Sequence, residues 1–95
     1  MSFELGTTVR LKIVSKDFSG ELTDVDEPPK ISVWDASKAK RVDSQSSVKE
    51  QTGTYHFDLT LDESWGTGVW LYEVRASIAG KPLVARGSLR VVKTE

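Results

Sequence analysis

The chain has 95 residues and a formal net charge of -1, which is the length of one small domain. Its 13 Lys and Arg residues against 14 Asp and Glu residues leave no basic excess of the kind that nucleic acid or anionic lipid usually selects. Cysteine is absent, which excludes disulfides, thiolate metal sites and cysteine catalysis. No apolar run approaches a membrane span and the first residues do not resemble a signal peptide, so we expect a cytoplasmic product.

Alternation of apolar and polar residues predicts strands along most of the chain. The pattern is clearest at 9–13, 55–61 and 70–78, where every second residue is apolar. In the last apolar stretch Gly87 indicates a bulge or bend within a strand. The predicted strands are seven, at 7–15, 30–36, 39–44, 46–51, 53–61, 69–79 and 82–93.

Residues typical of turns separate these strands, and no stretch has the period of an amphipathic helix. The pattern therefore predicts an all-β fold, an immunoglobulin-like antiparallel β-sandwich of about seven strands, in a single domain over 1–95. The long segment Lys16–Pro29 is either an exposed loop or contains a short edge strand. The apolar positions of four alternating strands predict one continuous core. Its residues are Ile13, Tyr55, Phe57, Leu59, Trp70, Tyr72, Val74 and Leu89.

The search for catalytic or metal-binding residues gives mostly negative results. His56, the only histidine, alternates with two aromatic residues and is predicted on the solvent face, without a Gly-x-Ser-x-Gly motif. Asp24, Asp26 and Glu27 carry the oxygen ligands that calcium prefers, but their spacing fits no EF-hand loop, so we favour a solvated loop. We therefore expect a protein that is not an enzyme and has no catalytic residues, no cofactor and no metal.

The tryptophans divide by position. Trp70 shares the apolar phase of its strand and is predicted in the core. Trp34 is out of phase with its apolar neighbours and Trp65 lies in a turn, so both are expected to be partly exposed. Each is either part of an interface or a lid over the open end of the sandwich.

Two short strands near residues 39–51 have too few apolar positions to be central, which predicts an edge able to accept another strand at Val48. The basic run around Lys40 and Arg41 is typical of a solvated turn that guards such an edge, rather than of a phosphate site. The candidate interaction surface therefore consists of Trp34, Lys40, Arg41, Val48 and Trp65.

Five stretches together resemble small immunoglobulin-like proteins encoded among the structural genes of tailed bacteriophages and prophages. The stretches are Phe3–Leu11, Asp17–Gly20, Thr52–Leu59, Gly68–Val74 and Arg86–Val92. Similar strand patterns occur in macroglobulin-like bacterial modules. The resemblance implies a virion component of the head, neck or tail that assembles in the host cytoplasm and binds a larger structural protein of the particle.

Two functional classes stay open. The first is a structural module of a phage-type particle, monomeric or weakly self-associating when isolated, with no nucleic acid or membrane partner. The second is a ligand-binding module, for carbohydrate above all, that uses Trp34 and Trp65 as stacking platforms. They are discriminated by whether both indole rings lie exposed on one surface.

Overall fold

The protein's structure is a computed structural model that describes residues 2–17 and 19–93. Phe18, which belongs to one of the stretches that carry the phage resemblance, lies outside the described residues. Among them a 3₁₀ turn at Glu63–Trp65 is the only helical element, and no helix is long and apolar enough to cross a membrane. The strands are β1 (Ser2–Glu4), β2 (Thr8–Val14), β3 (Lys30–Trp34), β4 (Lys40–Ser46), β5 (Val48–Gln51), β6 (Thr54–Thr60), β7 (Gly68–Ile78) and β8 (Lys81–Val92).

The strands form two sheets, which confirms the predicted all-β sandwich. One sheet has five strands in the order β1-β8-β7-β3-β4, and the other has three in the order β2-β6-β5. The described residues contain eight strands rather than seven, because β1 also forms and pairs in parallel with the end of β8. Three residues with one apolar side chain, Phe3, are too short for alternation to reveal a strand.

The core lies between the two sheets, and the predicted faces of the strands are correct. Its buried cluster consists of Ile31, Val33, Leu59, Leu61, Trp70, Leu89 and Val91. The other predicted core residues Ile13, Phe57, Tyr72 and Val74 pack against this cluster but are only partly buried. Tyr55 is buried outside the cluster, beside Val25, whose backbone N–H donates to the tyrosine hydroxyl at 3.3 Å. The predicted continuous core is therefore fully closed over only part of its length.

Gly87 does not mark a bulge against β7, so that part of the prediction is wrong. The register between β7 and β8 runs without a shift from the Gly68–Val91 pair to the Ile78–Lys81 pair. A glycine is needed because the side chain of Tyr72 lies across the strand at this point. A Cβ atom on Gly87 would lie 2.3 Å from the Tyr72 hydroxyl oxygen.

The long segment Lys16–Pro29 is a connection rather than a hidden strand. Within its described residues only an isolated bridge pairs Lys16 with Leu22. Asp26 ties the segment to the turn between β7 and β8, since its backbone N–H donates to the Ser77 carbonyl at 2.8 Å. The segment therefore closes one end of the sandwich.

Candidate interaction surface

The structure places β4 and β5 at the edges of the two sheets, where the predicted edge near residues 39–51 would lie. Val48 is 57% exposed at the start of β5. The edge at β4 is irregular, with register shifts against β3 and a positive φ of 49° at Ser44. Irregular edges hinder the addition of another strand, so β4 is a poor template for pairing.

Arg41 holds a buried carboxylate rather than guarding an edge. Its Nε donates to Asp35 Oδ2 at 2.7 Å, and Asp35 is only 2% exposed. The other carboxylate oxygen accepts hydrogen bonds from the hydroxyl of Ser37 at 2.6 Å and from the backbone N–H of Ala39 at 3.1 Å. The Ser37 hydroxyl, and then Arg41, lower the pKa of Asp35 from 3.8 to about 2. Arg41 is therefore structural.

Trp65 covers the end of the core. Its ring lies 5.7 Å from the ring of buried Trp70 at an interplanar angle of 44°, a tilted aromatic contact. The Arg41 guanidinium lies 5.7 Å from the Trp65 ring. Asp62 caps the 3₁₀ turn that carries Trp65 by accepting the Ser64 N–H at 2.8 Å. Of the two interpretations of Trp65, this packing supports the lid.

Trp34 lies on the outer face of the five-stranded sheet, away from the core. It pairs with Leu71 of β7 and with Lys40 of β4, and the Lys40 Nζ lies 5.2 Å from the centre of its ring. The ring borders a shallow cavity of about 380 Å³ whose lining includes Leu71, Glu73 and Arg86. Trp34 and Trp65 therefore contact different parts of the sandwich and do not form a single stacking platform.

Glu73 is an acidic residue on this outer face, and each of its carboxylate oxygens accepts a hydrogen bond from an arginine. Oε2 accepts from Arg86 Nε at 2.9 Å, and Oε1 accepts from Arg75 Nε. The hydrogen bonds from Arg86 and then Arg75 lower the pKa of Glu73. A carboxylate held between two guanidinium groups is a poor candidate for a catalytic acid or base.

The acidic residues of the long connection are exposed, as predicted, but two of them also anchor the chain. Asp24 accepts from Lys49 Nζ at 2.6 Å and from the Gly53 N–H at 2.8 Å, and these bonds lower its pKa. Asp26 accepts from the backbone N–H groups of Ala79 and Gly80, both at 3.0 Å. Within residues 2–17 and 19–93 no group of three or more acidic or histidine side chains is arranged to hold a metal ion.

His56 lies on the outer face of the three-stranded sheet, opposite Lys12 and Val48, as alternation predicts. Only 18% of its side chain is exposed, so the ring is more covered than the sequence suggested. Its Nδ1 lies 3.3 Å from Glu50 Oε1 without the geometry of a hydrogen bond.

Two features were missed by sequence reasoning. Three turns share an Asp-x-Ser pattern in which the carboxylate accepts from the serine N–H and hydroxyl, at Asp17, Asp35 and Asp62. The recurrence is visible in the sequence and is a known signature of Asx turns. The second feature is an apolar opening between β2 and β8, which depends on how the sheets meet and has no local signal.

Comparison with models of protein families, with curated proteins and with solved structures finds no match to this chain. The class of the protein is therefore defined by its fold, an all-β sandwich, and the phage resemblance stays a prediction.

Proposed function

We propose that this chain is a non-catalytic interaction domain that docks onto a larger structural protein of a phage-type particle. The observation that carries the docking role is an apolar row on the outer face of the five-stranded sheet. The row consists of Trp34, Leu71 and Val69, and the two aliphatic side chains are 46% and 57% exposed. The particle itself is implied only by the sequence resemblance.

The three side chains of the row adjoin one another on one face of the sheet, as in a protein-binding surface. Trp34 lies opposite Leu71, and Val69 lies on the same face of β7 two residues before Leu71. Exposed apolar groups that adjoin one another on a rigid surface are typical of sites where proteins bind. The row needs no conformational change to bind a partner, because hydrogen-bonded strands hold it in place.

Charge around the row indicates the kind of partner surface. Lys40, Arg86 and Arg90 lie on the same face, since they pair with Trp34, Glu73 and Val69 respectively. Glu73 is bonded by Arg75 and Arg86, and Lys40 forms an ion pair with Asp43 at 3.2 Å. The four basic side chains exceed the two acidic ones, so the rim has a net positive charge and complements a partner with apolar side chains surrounded by acidic residues.

The carbohydrate alternative rests on the cavity beside Trp34, which combines an indole with polar groups. Against it, Lys40 lies over the Trp34 ring and both oxygens of Glu73 are engaged by arginines. A sugar would have to displace these contacts before stacking and hydrogen bonding.

Two valines of equal exposure allow a matched experiment. Val69 lies in the apolar row and Val48 lies at the start of β5, and each is 57% exposed. Wild type, Val69→Lys and Val48→Lys would be immobilised and used to capture proteins from a lysate that contains assembled particles. We expect Val69→Lys to lower the amount of captured particle protein at least tenfold, and Val48→Lys to leave it unchanged.

Each other outcome has a definite meaning. Loss with Val48→Lys alone would move the interface to β5, and equal capture by all three proteins would refute the outer face. Wild type that captures no particle protein would refute the proposed function. Specific retention on a polysaccharide column would favour the ligand-binding alternative.

A further inference from the structure

The two sheets do not close along the side between β2 and β8. Two adjoining clefts of about 270 and 250 Å³ lie there and share Ile13, Val14, Val74 and Ala85. We call this region the open flank. Its apolar lining includes Leu11, Ile13, Tyr72, Val74, Leu83 and Ala85, and none of these residues is fully buried. The core is thus closed at the β1 end and open to solvent here.

One wall of the open flank is an unpaired stretch of β8. Beyond β7, the only neighbour of β8 in the described sheet is β1, which pairs with Arg90–Val92. The N–H of Leu5 donates to the Val92 carbonyl at 2.9 Å, so the polar groups of Val92 point away from β7. Because this direction alternates along an antiparallel strand, the backbone groups of Ser88, Arg86 and Val84 point the same way, without a strand to pair with.

The position of Pro82 agrees with this alternating direction of the backbone groups. Pro82 occupies the next alternate position of β8, where a missing N–H removes no hydrogen bond to β7. Within a regular part of a sheet, proline is found at such outward-facing positions of an edge strand. The edge that β8 presents between Pro82 and Ser88 is therefore open over about seven residues, roughly 20 Å of strand.

We propose that the open flank binds an extended segment of a partner protein in which apolar and acidic residues alternate. The segment pairs with β8 in line with β1 and places its apolar side chains over the exposed core. This second contact goes beyond the docking role of the outer face, because it uses the free backbone edge of β8, the open flank and a different kind of partner segment.

The existing β1–β8 pair supplies the pattern for the added strand. Phe3 packs against the core, while its neighbours Ser2 and Glu4 are exposed. A segment that continues this line along β8 needs the same alternation, with apolar side chains directed inwards to cover residues such as Val74 and Ala85. Main-chain pairing gives such strand addition its affinity, and the alternate side chains give it specificity.

The charges next to the β8 edge indicate which residues fit the polar positions of the bound segment. Arg86 and Arg90 lie on the outer face of β8, since they pair with Glu73 and Val69 of β7. Glu73 is bonded by both Arg86 and Arg75, which leaves one positive charge in excess, and Arg90 forms no ion pair with another residue of the described chain. The outward side chains of the bound strand lie on this same face, so acidic ones would meet these arginines, which favours them over basic ones.

A seven-residue probe tests the proposal directly. The acetylated and amidated peptide Glu-Val-Glu-Val-Glu-Val-Glu would be titrated into the whole protein, beside the peptide with Lys in place of Glu. We expect the acidic peptide to bind at least tenfold more tightly. At saturation, hydrogen exchange at the amides of Val84, Arg86 and Ser88 should slow at least tenfold, as measured by NMR. Equal affinity for the two peptides, or protection confined to other amides, would refute the proposal.

Two variants at one position separate pairing from side-chain contact. Val84→Pro removes an outward-facing amide, whereas Val84→Thr keeps it and changes the same exposed side chain. We expect Val84→Pro to weaken peptide binding at least tenfold and Val84→Thr to leave it within twofold. Equal binding by both variants would contradict strand addition. Should Val84→Pro not fold, the Arg86→Glu and Arg90→Glu double variant decides. It should reverse the preference toward the basic peptide, and an unchanged preference would refute the acidic partner.

The two proposals fail separately. Val69→Lys should bind the acidic peptide as wild type does, because Val69 lies on β7 and β8 separates it from the added strand. A protein that captures particle components yet ignores the peptide keeps the proposed function and loses the open-flank partner. Dimerisation of the free domain that Val84→Pro abolishes would assign the flank to a second copy and overturn the proposal.

Discussion

The contact between Gly87 and Tyr72 gives the sharpest prediction about the packing of this sandwich. The residues lie opposite each other on the inner face of β8 and β7. A Cβ atom added to Gly87 would lie 2.3, 2.4 and 2.8 Å from three atoms of the tyrosine side chain. These distances are far inside the ordinary separation of about 3.5 to 4.0 Å between non-bonded carbon atoms. Gly87→Ala must therefore push the ring out of its place.

The sign of the effect depends on the tyrosine. With Tyr72 present, we expect Gly87→Ala to lower the free energy of unfolding by about 1 to 3 kcal/mol, the usual cost of overpacking. In a Tyr72→Ala background the clash is absent, and alanine in a strand should instead be better than glycine by about 0.5 to 1 kcal/mol. The two substitutions should therefore couple by about 1.5 to 4 kcal/mol.

Urea titration of the four proteins, followed by far-UV circular dichroism, measures this coupling. The double-mutant cycle needs the slope of free energy against urea to be the same in all four, which shows that unfolding exposes similar surface. A cost of Gly87→Ala that is equal with and without the tyrosine ring would refute the reasoning. It would mean that Gly87 serves the backbone and not the ring.

Three further predictions concern the core, a turn and acid stability. Trp70→Ala should cost about 3 to 5 kcal/mol in urea titration, because the ring is fully buried, whereas Leu71→Ala beside it should cost less than about 1 kcal/mol. Gly53→Ala should cost about 2 to 4 kcal/mol in the same titration, since φ is +71° and the added Cβ would lie 2.9 Å from backbone atoms of two other segments. Gly80→Ala has a similar φ of +76° but open space around it, so it should cost only about 1 to 2 kcal/mol. Because folding lowers the pKa of Asp35 from 3.8 to about 2, its stabilising effect is full above pH 3.8 and is lost as the pH falls to about 2. The melting temperature of Asp35→Asn should therefore fall less steeply across that range than that of wild type; parallel curves would contradict the role of Asp35.

Most of the fold could be predicted because strand signals are local. Alternation along β2, β6 and β7 reports directly which side chains face the core, and burial of Trp70 beside exposed Leu71 confirms it. Strand β1 was missed because its pairing is fixed by contact with β8 at the other end of the chain, which no local pattern encodes. The reason for Gly87 was missed similarly, since it depends on a tyrosine across the sheet.

The candidate surface was predicted less completely. Residue type and phase correctly suggested that Trp34 lies off the core and that Val48 lies on an edge strand. They could not show that Arg41 holds Asp35 or that Trp65 packs on Trp70, because these contacts join residues from separate turns. The open flank could not be predicted at all, since it results from the way in which two sheets overlap.

The parallel pairing of β1 with the end of β8 also affects when the domain can fold during synthesis. Residues 2–4 find their partners only at 90–92, so β1 has nothing to pair with until almost the whole sandwich has been made. At a translation rate of about 5 to 20 residues per second, this interval lasts about 5 to 20 s. During that time Phe3, which later packs against the core, stays exposed to other chains and to chaperones. Within the sandwich, β1 is thus synthesised before the other strands but is among the last to be incorporated, and the sandwich is completed only after β8 has left the ribosome.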